Sequence, residues 1–164
     1  MALDILAERS LAGDAKELGF DRVFVADKNR IVDHDDPDAF EFSMYSGDDP
    51  ENAIKKGKFD LVTDLEKSGF LLNKGLCSKL KERGISVVFK FSSLLEVEDM
   101  FRAYKNMLIN IRVCNEYSVP ALFVSFAKDK MGMKSPVQLE AFAEQFGYNY
   151  KNYRKAEKLF VDRS

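Results

Sequence analysis

Four times the chain runs from an amphipathic helix through a tight stop into a short strand rich in β-branched and aromatic residues, and this repeated grammar constrains the fold more than any other feature. The stops are Gly19, Gly57, Gly84 and Ser118, and the strands that follow span 22–27, 60–64, 85–90 and 121–125. Each run is too short for a buried helix and is apolar almost throughout instead of alternating. Each follows a residue able to end a helix in the left-handed conformation, so the strands read as parallel and covered on both faces. The expected class is α/β, as a barrel or an open sheet.

A chain of 164 residues removes roughly 70% of its unfolded surface from water as a single domain, so it needs no disulfide staples. Cys77 and Cys114 fall in helical segments without CxxC spacing, which predicts packed thiols in a reducing compartment and argues against zinc. An acid at Asp4 where a secretory signal carries positive charge, and no stretch near the ~20 apolar residues of a membrane span, predict a cytoplasmic protein that does not enter the membrane. Charge is uneven. Residues 1–57 carry 7 Lys or Arg against 14 Asp or Glu, whereas 58–164 carry 18 against 13. The second part would meet a polyanion, and the whole-chain balance suits a protein that presents one face to RNA while partners hold the rest.

Further along the chain, residues 3–5 read as a first short strand and 8–18 as a helix. The polar stretch 28–39, with Asp33, His34, Asp35, Asp36, Pro37 and Asp38, reads as an exposed loop; it lacks the glycine and ligand spacing of an EF-hand. Residues 40–45 alternate like a strand. Asp49-Pro50 starts a short helix with the acid as cap, residues 65–72 read as a loop, and 73–83 as a helix. Ser93-Leu94-Leu95-Glu96 has the form of a capping box opening a long helix over 94–117, with Met100, Tyr104, Met107, Ile111 and Cys114 as its buried stripe. Ser135-Pro136 with Gln138 starts another helix, and the last spans 147–160.

Ligands of parallel α/β folds bind at the carboxyl ends of the strands. Those ends offer Asp27, Asp64, Lys90, Ser92, Ser125 and Lys128. There is no glycine-rich phosphate loop and no GxSxG elbow, and His34 is the single imidazole, so no catalytic residue is predicted. Asp27 and Asp64 read as helix caps in preference to a magnesium pair. The more suggestive group is basic: Lys90, Lys128, Lys130 and Lys134, interleaved with Ser92, Ser93, Ser125 and Ser135. Ammonium and hydroxyl groups in this mixture are the groups that contact phosphates.

From about Phe42 to Phe160 the order of segments resembles the archaeal ribonuclease P protein component 3, counterpart of the eukaryotic 30-kilodalton subunit. Lys56-Gly57-Lys58-Phe59-Asp60-Leu61-Val62 resembles that family's Gly-hydrophobic-Asp strand entry, and Leu76 with Ser78-Lys79-Leu80 resembles the helix after its loop. Phe89-Lys90-Phe91-Ser92-Ser93-Leu94-Leu95 stands where the family has a Phe-Ser-x-Arg-Pro-Leu-Leu type of sequence. Tyr117-Ser118-Val119-Pro120 followed by Ser125-Phe126-Ala127 resembles its strand ending in Ser-Ser-Ala or Ser-Gly-Ala, and Lys134-Ser135-Pro136 with Leu139 resembles its Arg-Ser-Pro-x-x-Leu helix start. The sequence departs from the pattern at Asn73-Lys74, where Asp-His is frequent, and near Ser93, where Arg is usual. It also lacks one strand-helix unit in its N-terminal part.

The resemblance implies a TIM-barrel-like fold, shortened or incompletely closed. It implies a subunit that helps the ribonuclease P RNA remove the 5′ leader of precursor tRNA, alongside the ferredoxin-like component 2 and other ribonuclease P proteins. The RNA would be the catalyst and would require the magnesium, with no cofactor on this chain. On this reading Lys90, Lys128, Lys130, Lys134, Ser125 and Ser135 contact RNA. Separately, the apolar run Gly69-Phe70-Leu71-Leu72 in an apparent loop is either a protein contact, which such patches on soluble proteins often mark, with Phe70, Leu71 and Leu72 as its residues, or buried packing. Two other readings remain: a metal-dependent phosphoesterase of the same barrel ancestry, and a non-catalytic scaffold that docks proteins through its acidic first third.

Overall fold

The computed structural model describes residues 2–35 and 41–162. Asp36, Pro37 and Asp38 of the acidic stretch, and Phe40 at the head of the next strand, lie outside the described residues. The strands are β1 (Leu3–Leu6), β2 (Arg22–Asp27), β3 (Arg30–Asp33), β4 (Glu41–Tyr45), β5 (Leu61–Thr63), β6 (Ser86–Lys90) and β7 (Ala121–Val124). The α-helices are α1 (Ala12–Glu17), α2 (Pro50–Lys56), α3 (Leu65–Ser68), α4 (Lys74–Glu82), α5 (Phe91–Leu95), α6 (Met100–Tyr117), α7 (Pro136–Gln145) and α8 (Tyr150–Asp162). All four stops are left-handed as the sequence predicts, with φ of 102° at Gly19, 60° at Gly57, 67° at Gly84 and 53° at Ser118.

The seven strands lie in sequence order in one sheet. β1 pairs with β2 in parallel, and β4, β5, β6 and β7 form a parallel run. β3 is antiparallel to both neighbours, which corrects two expectations: an all-parallel sheet, and a loop over 28–39. The hairpin turns through Lys28 at φ 55°, and the Asn29 carbonyl accepts from the Met44 amide at 2.7 Å. Arg22 pairs with Asp33 across it and lies 5.2 Å from the Phe24 ring. With only Ile31 and Val32 apolar, this strand carries too little periodicity to stand out from a polar loop.

The sheet curls almost into a barrel, with one seam between β1 and β7 that no ladder seals. At its carboxyl end the seam is held by the Phe126 amide donating to the Ile5 carbonyl and the Ala7 amide to the Ala127 carbonyl, both at 2.9 Å. The buried Asp4 carboxylate accepts the Ser125 amide at 2.8 Å, the Ile5 amide at 2.9 Å and the Ser125 hydroxyl. Two apolar layers result. Inside the barrel, Ile5, Phe24, Ile31, Phe42, Leu61, Val88 and Leu122 pack together. Phe160 of α8 plugs the amino-end mouth, 4.8 Å from the Phe24 ring and 4.2 Å from Phe42. Between sheet and helices lies the larger layer, built on Val62, Leu80, Val87, Phe89, Ile111 and Phe146.

The long helix begins later than expected. Ser93 does not cap; α5 ends at Leu95, and Asp99 caps α6 by accepting the Arg102 amide at 2.9 Å. The buried face of α6 is correspondingly rotated to Ala103, Asn106, Met107, Asn110, Ile111 and Cys114, leaving Met100 and Tyr104 exposed. Two asparagines fall on that face because they serve the 65–72 segment, which itself contains the turn of α3. Asn110 accepts the Leu72 amide at 2.8 Å and donates to the Phe70 carbonyl at 2.9 Å. Its neighbour Asn106 donates to the Glu66 carbonyl at 3.4 Å. The caps at Asp49 and Ser135 form as read, the latter as a full capping box with Gln138.

Burial pushes the Asp4 carboxyl up to about 7, against the Ser125 hydroxyl and the Ser125 and Ile5 amides that favour its charged form. A folded-state value above the unfolded 3.8 means that its contribution to stability is complete below the unfolded value and is lost as pH rises through about 7. Asparagine offers the same acceptor oxygen and an amide that can donate to Ser125. In urea unfolding, Asp4→Asn is expected to flatten the decline in stability between about pH 4 and pH 8; an unchanged pH profile would show that Asp4 does not titrate there.

Candidate functional site

The carboxyl ends of β4 to β7 meet in one polar network. Asp64, just past β5, sits at φ 62° and does not cap α3 through its side chain, contrary to its sequence reading. Its carboxylate instead accepts from the Lys90 ammonium at 2.6 Å, the Ser46 hydroxyl at 2.6 Å and the Ser93 hydroxyl at 3.2 Å. Lys67 lies 3.5 Å from the same carboxylate and 2.8 Å from Glu96, which Lys128 also reaches at 2.9 Å. The segments after β5, β6 and β7 are thereby tied through alternating charges, and the segment after β4 joins through the Ser46 hydroxyl. On its other side the Lys90 ammonium lies 4.3 Å from the Phe126 ring, whose own backbone is at φ 50°. Two strained non-glycine residues thus flank one buried lysine, and such strain persists only where the surroundings over-determine it.

The electrostatics follow from burial and these partners. At Asp64 burial works to raise the carboxyl, but the Lys90 charge and hydrogen bond, with Ser46, outweigh it and hold it below its ordinary value. Glu96 is likewise lowered, its burial outweighed by hydrogen bonds from Lys67 and Lys128. Burial also opposes the charge on Lys67, but the Glu96 and Asp64 carboxylates raise it. Glu66 is the exception: burial raises it, and neither carboxyl oxygen has a hydrogen bond of sound geometry.

The residues predicted to contact RNA separate into two groups. Lys90 and Ser125 are 5% and 0% exposed and already partnered, so here they brace the strand ends. Lys128 and Lys130 are on the surface, their side chains 61% and 74% exposed, paired with Glu96 and with Asp14 at 2.7 Å. Lys134 donates to the carbonyls of Met131 and Met133 at 3.2 and 3.1 Å and lies 4.9 Å from the Phe91 ring. The Ser135 hydroxyl accepts the Gln138 amide, leaving its proton to donate. Among the three apolar contact candidates, Leu72 is buried and Phe70 packs against the core. Leu71 alone is exposed, at 43%, because Asn110 fixes the segment from within.

Asp27 and Asp64 do not form a pair. Their strands are separated by β3 and β4, and Asp27 lies 3.5 Å from Arg30 in its own hairpin. Among the described residues no three His, Cys, Asp or Glu side chains converge as ligands for a metal ion. Nor is any helix among them long and apolar enough to cross a membrane. Sequence reasoning missed Asp4, Ser46 and Glu66. The signal for Asp4 was an acid between Leu3 and Ile5 in an apolar strand, since a polar residue in a buried position is the informative exception.

The architecture is therefore that of a (β/α) barrel-like protein, incompletely closed and carrying a charged, hydrogen-bonded network at the carboxyl end of its parallel strands. Comparison with protein-family models and with curated proteins finds no match. Among solved structures, the fold is similar to that of a chain in the cryo-EM structure of archaeal ribonuclease P with mature tRNA, with a TM-score of 0.54 and 16% sequence identity. The similarity covers 68% of this chain and 49% of that one, so it spans about half the length of the neighbour.

Removing one member of a buried ion pair strands the other without compensation, at a cost of about 3 kcal/mol or more. Lys90→Met is expected to destabilise the fold by that amount in denaturant unfolding. Adding Asp64→Leu is expected to recover part of the loss, giving a coupling well above experimental error. Additive effects of the two substitutions would show that the pair does not hold the strand ends.

Proposed function

We propose that this chain is a protein subunit of ribonuclease P, the component 3 type, which assists the RNA in removing the 5′ leader from precursor tRNA. The observation that carries the reading is the similarity of its barrel to a chain of an archaeal ribonuclease P assembly. That similarity coincides with the independent order of sequence motifs from Phe42 to Phe160. In this reading the RNA supplies the reaction and holds the magnesium it needs. The protein supplies a rigid, positively charged surface, works with the ferredoxin-like component 2 and other subunits, and acts in the cytoplasm.

The surface that suits RNA is the segment after β7. Lys128 and Lys130 stand in solvent on exposed ion pairs, which hold little energy, so a backbone phosphate can displace Glu96 or Asp14 from them. Each exchange releases counterions from the RNA, and affinity then falls with salt in proportion to the number of phosphates engaged. Lys134 and the Ser135 hydroxyl continue the same edge into the start of α7, with Lys134 releasing backbone carbonyls when it turns outward. Lys90 acts indirectly: its bond to Asp64 and contact with Phe126 hold the segment in register behind the exposed lysines.

The test is reconstitution with the ribonuclease P RNA and the other subunits. The variant Lys128→Ala/Lys130→Ala/Lys134→Ala is expected to weaken binding to the RNA and to lower the slope of log affinity against log salt by about one for each lysine that loses a phosphate. It is also expected to raise the magnesium needed for precursor tRNA cleavage. An unchanged affinity and salt slope would contradict the assignment of this edge. A wild-type chain that neither binds the RNA nor alters its magnesium requirement would contradict the function.

A further inference from the structure

The bonds that close the barrel seam begin at Asp4 and run toward the carboxyl end. Beside the other half of the seam, the amino end of β1 and the outer side of β7 border a cavity of about 290 Å³. Its buried surfaces come from Leu3, Phe20, Phe123, Leu139 and Ala143, each at most 5% exposed. Tyr148 and Tyr153 complete the wall; the Tyr148 hydroxyl donates to the Ala121 carbonyl, which fixes that ring against β7. The space opens to solvent on the side of α7, and its size lies near the lower bound of small-molecule sites.

The charge of the lining is one-sided. Glu140 and Glu144 stand one turn apart on α7 and are exposed at the rim. Among the described residues neither carboxylate takes an ion pair or hydrogen bond, and no Lys, Arg or His lines the cavity. An anion would meet two like charges there, and a neutral apolar molecule would use the walls but leave the carboxylates idle. A cation with a compact apolar body uses both: aromatic and aliphatic surfaces for the body, and two carboxylates for the ammonium.

We propose that the seam cavity between β1, β7 and α7 is a binding site for a small organic cation, an ammonium carried on an apolar body of about the size of an arylalkyl group. The site is on the outer wall of the barrel, away from Lys128 and Lys130 and bordering the start of α7 at Pro136, and it does not depend on the ribonuclease P reading. Occupancy would fill the amino-end part of the seam, where among the described residues no backbone hydrogen bond joins β1 to β7. The occupied state would therefore hold β1 and β7 together more firmly.

Phenethylammonium is the probe, with 2-phenylethanol as the neutral shape-matched control, both titrated into the full chain and followed by amide chemical shifts and thermal melting. The expected result is saturable shifts for the ammonium, confined to β1, β7, α7 and the 148–153 segment, with a raised melting temperature and at least tenfold weaker binding of the alcohol. Glu140→Gln/Glu144→Gln alters only exposed positions and is expected to weaken the ammonium at least fivefold without changing the melting temperature of the free protein. Filling the cavity with Ala143→Leu is expected to abolish binding. Equal affinity for the alcohol, an undiminished affinity of the double glutamine variant, or no saturation by about 10 mM would each overturn the proposal.

Discussion

A sheet of seven short strands closes only if its first strand meets its last, and here that meeting is made at the carboxyl end by two backbone hydrogen bonds and one buried carboxylate. Asp4 gathers the amide and hydroxyl of Ser125 and the amide of Ile5, in a place where a regular ladder is absent. Beside it, Phe126 is driven to a positive φ so that its amide can reach the Ile5 carbonyl. A carboxylate suits this junction because it accepts several donors at once from an irregular backbone, which a strand's own carbonyls cannot do. Burial without a countercharge is the cost, and it leaves Asp4 with a pKa near neutrality.

The rest of the carboxyl end follows from that junction. Once Phe126 is placed, its ring lies against the Lys90 ammonium, and Lys90 in turn reaches Asp64. Asp64 collects the segments after β4 and β6 through Ser46 and Ser93. The network therefore uses its most buried charges for shape, and Lys128 and Lys130 lie on its exposed side. A chain of formal net charge −2 can still present a basic edge because its charge is uneven: residues 1–57 carry 14 Asp or Glu against 7 Lys or Arg, and residues 58–164 carry 18 Lys or Arg against 13 Asp or Glu.

The parallel half of the fold was legible from local chemistry. Glycines at the helix ends, continuous apolar runs and the caps at Asp49 and Ser135 each act within a few residues, and each appears where the sequence places it. The elements that were not legible depend on distant partners. β3 has two apolar residues and is a strand because β2 and β4 flank it. The 69–72 run looks like an exposed apolar surface until Asn110, distant in sequence, binds its backbone. Lys90 and Ser125 have the composition of phosphate ligands, and their burial is set by Asp64 and Asp4, which come from other strands. Ser93 shows the limit of motif reading: its hydroxyl serves Asp64, and the cap of α6 passes to Asp99.

A barrel braced from within and basic along one edge suits a subunit that offers a fixed surface to a folded RNA, where shape and phosphate contacts dominate recognition. The most direct measurement is ultraviolet crosslinking in the native cell, followed by purification of the chain and identification of both the crosslinked RNA and the crosslinked peptides. The expected result is one abundant structured RNA able to cleave precursor tRNA, joined to peptides within 128–135. Recovery of the chain without RNA, or crosslinks confined to the β2–β3 hairpin or to α8 at the opposite mouth, would contradict it.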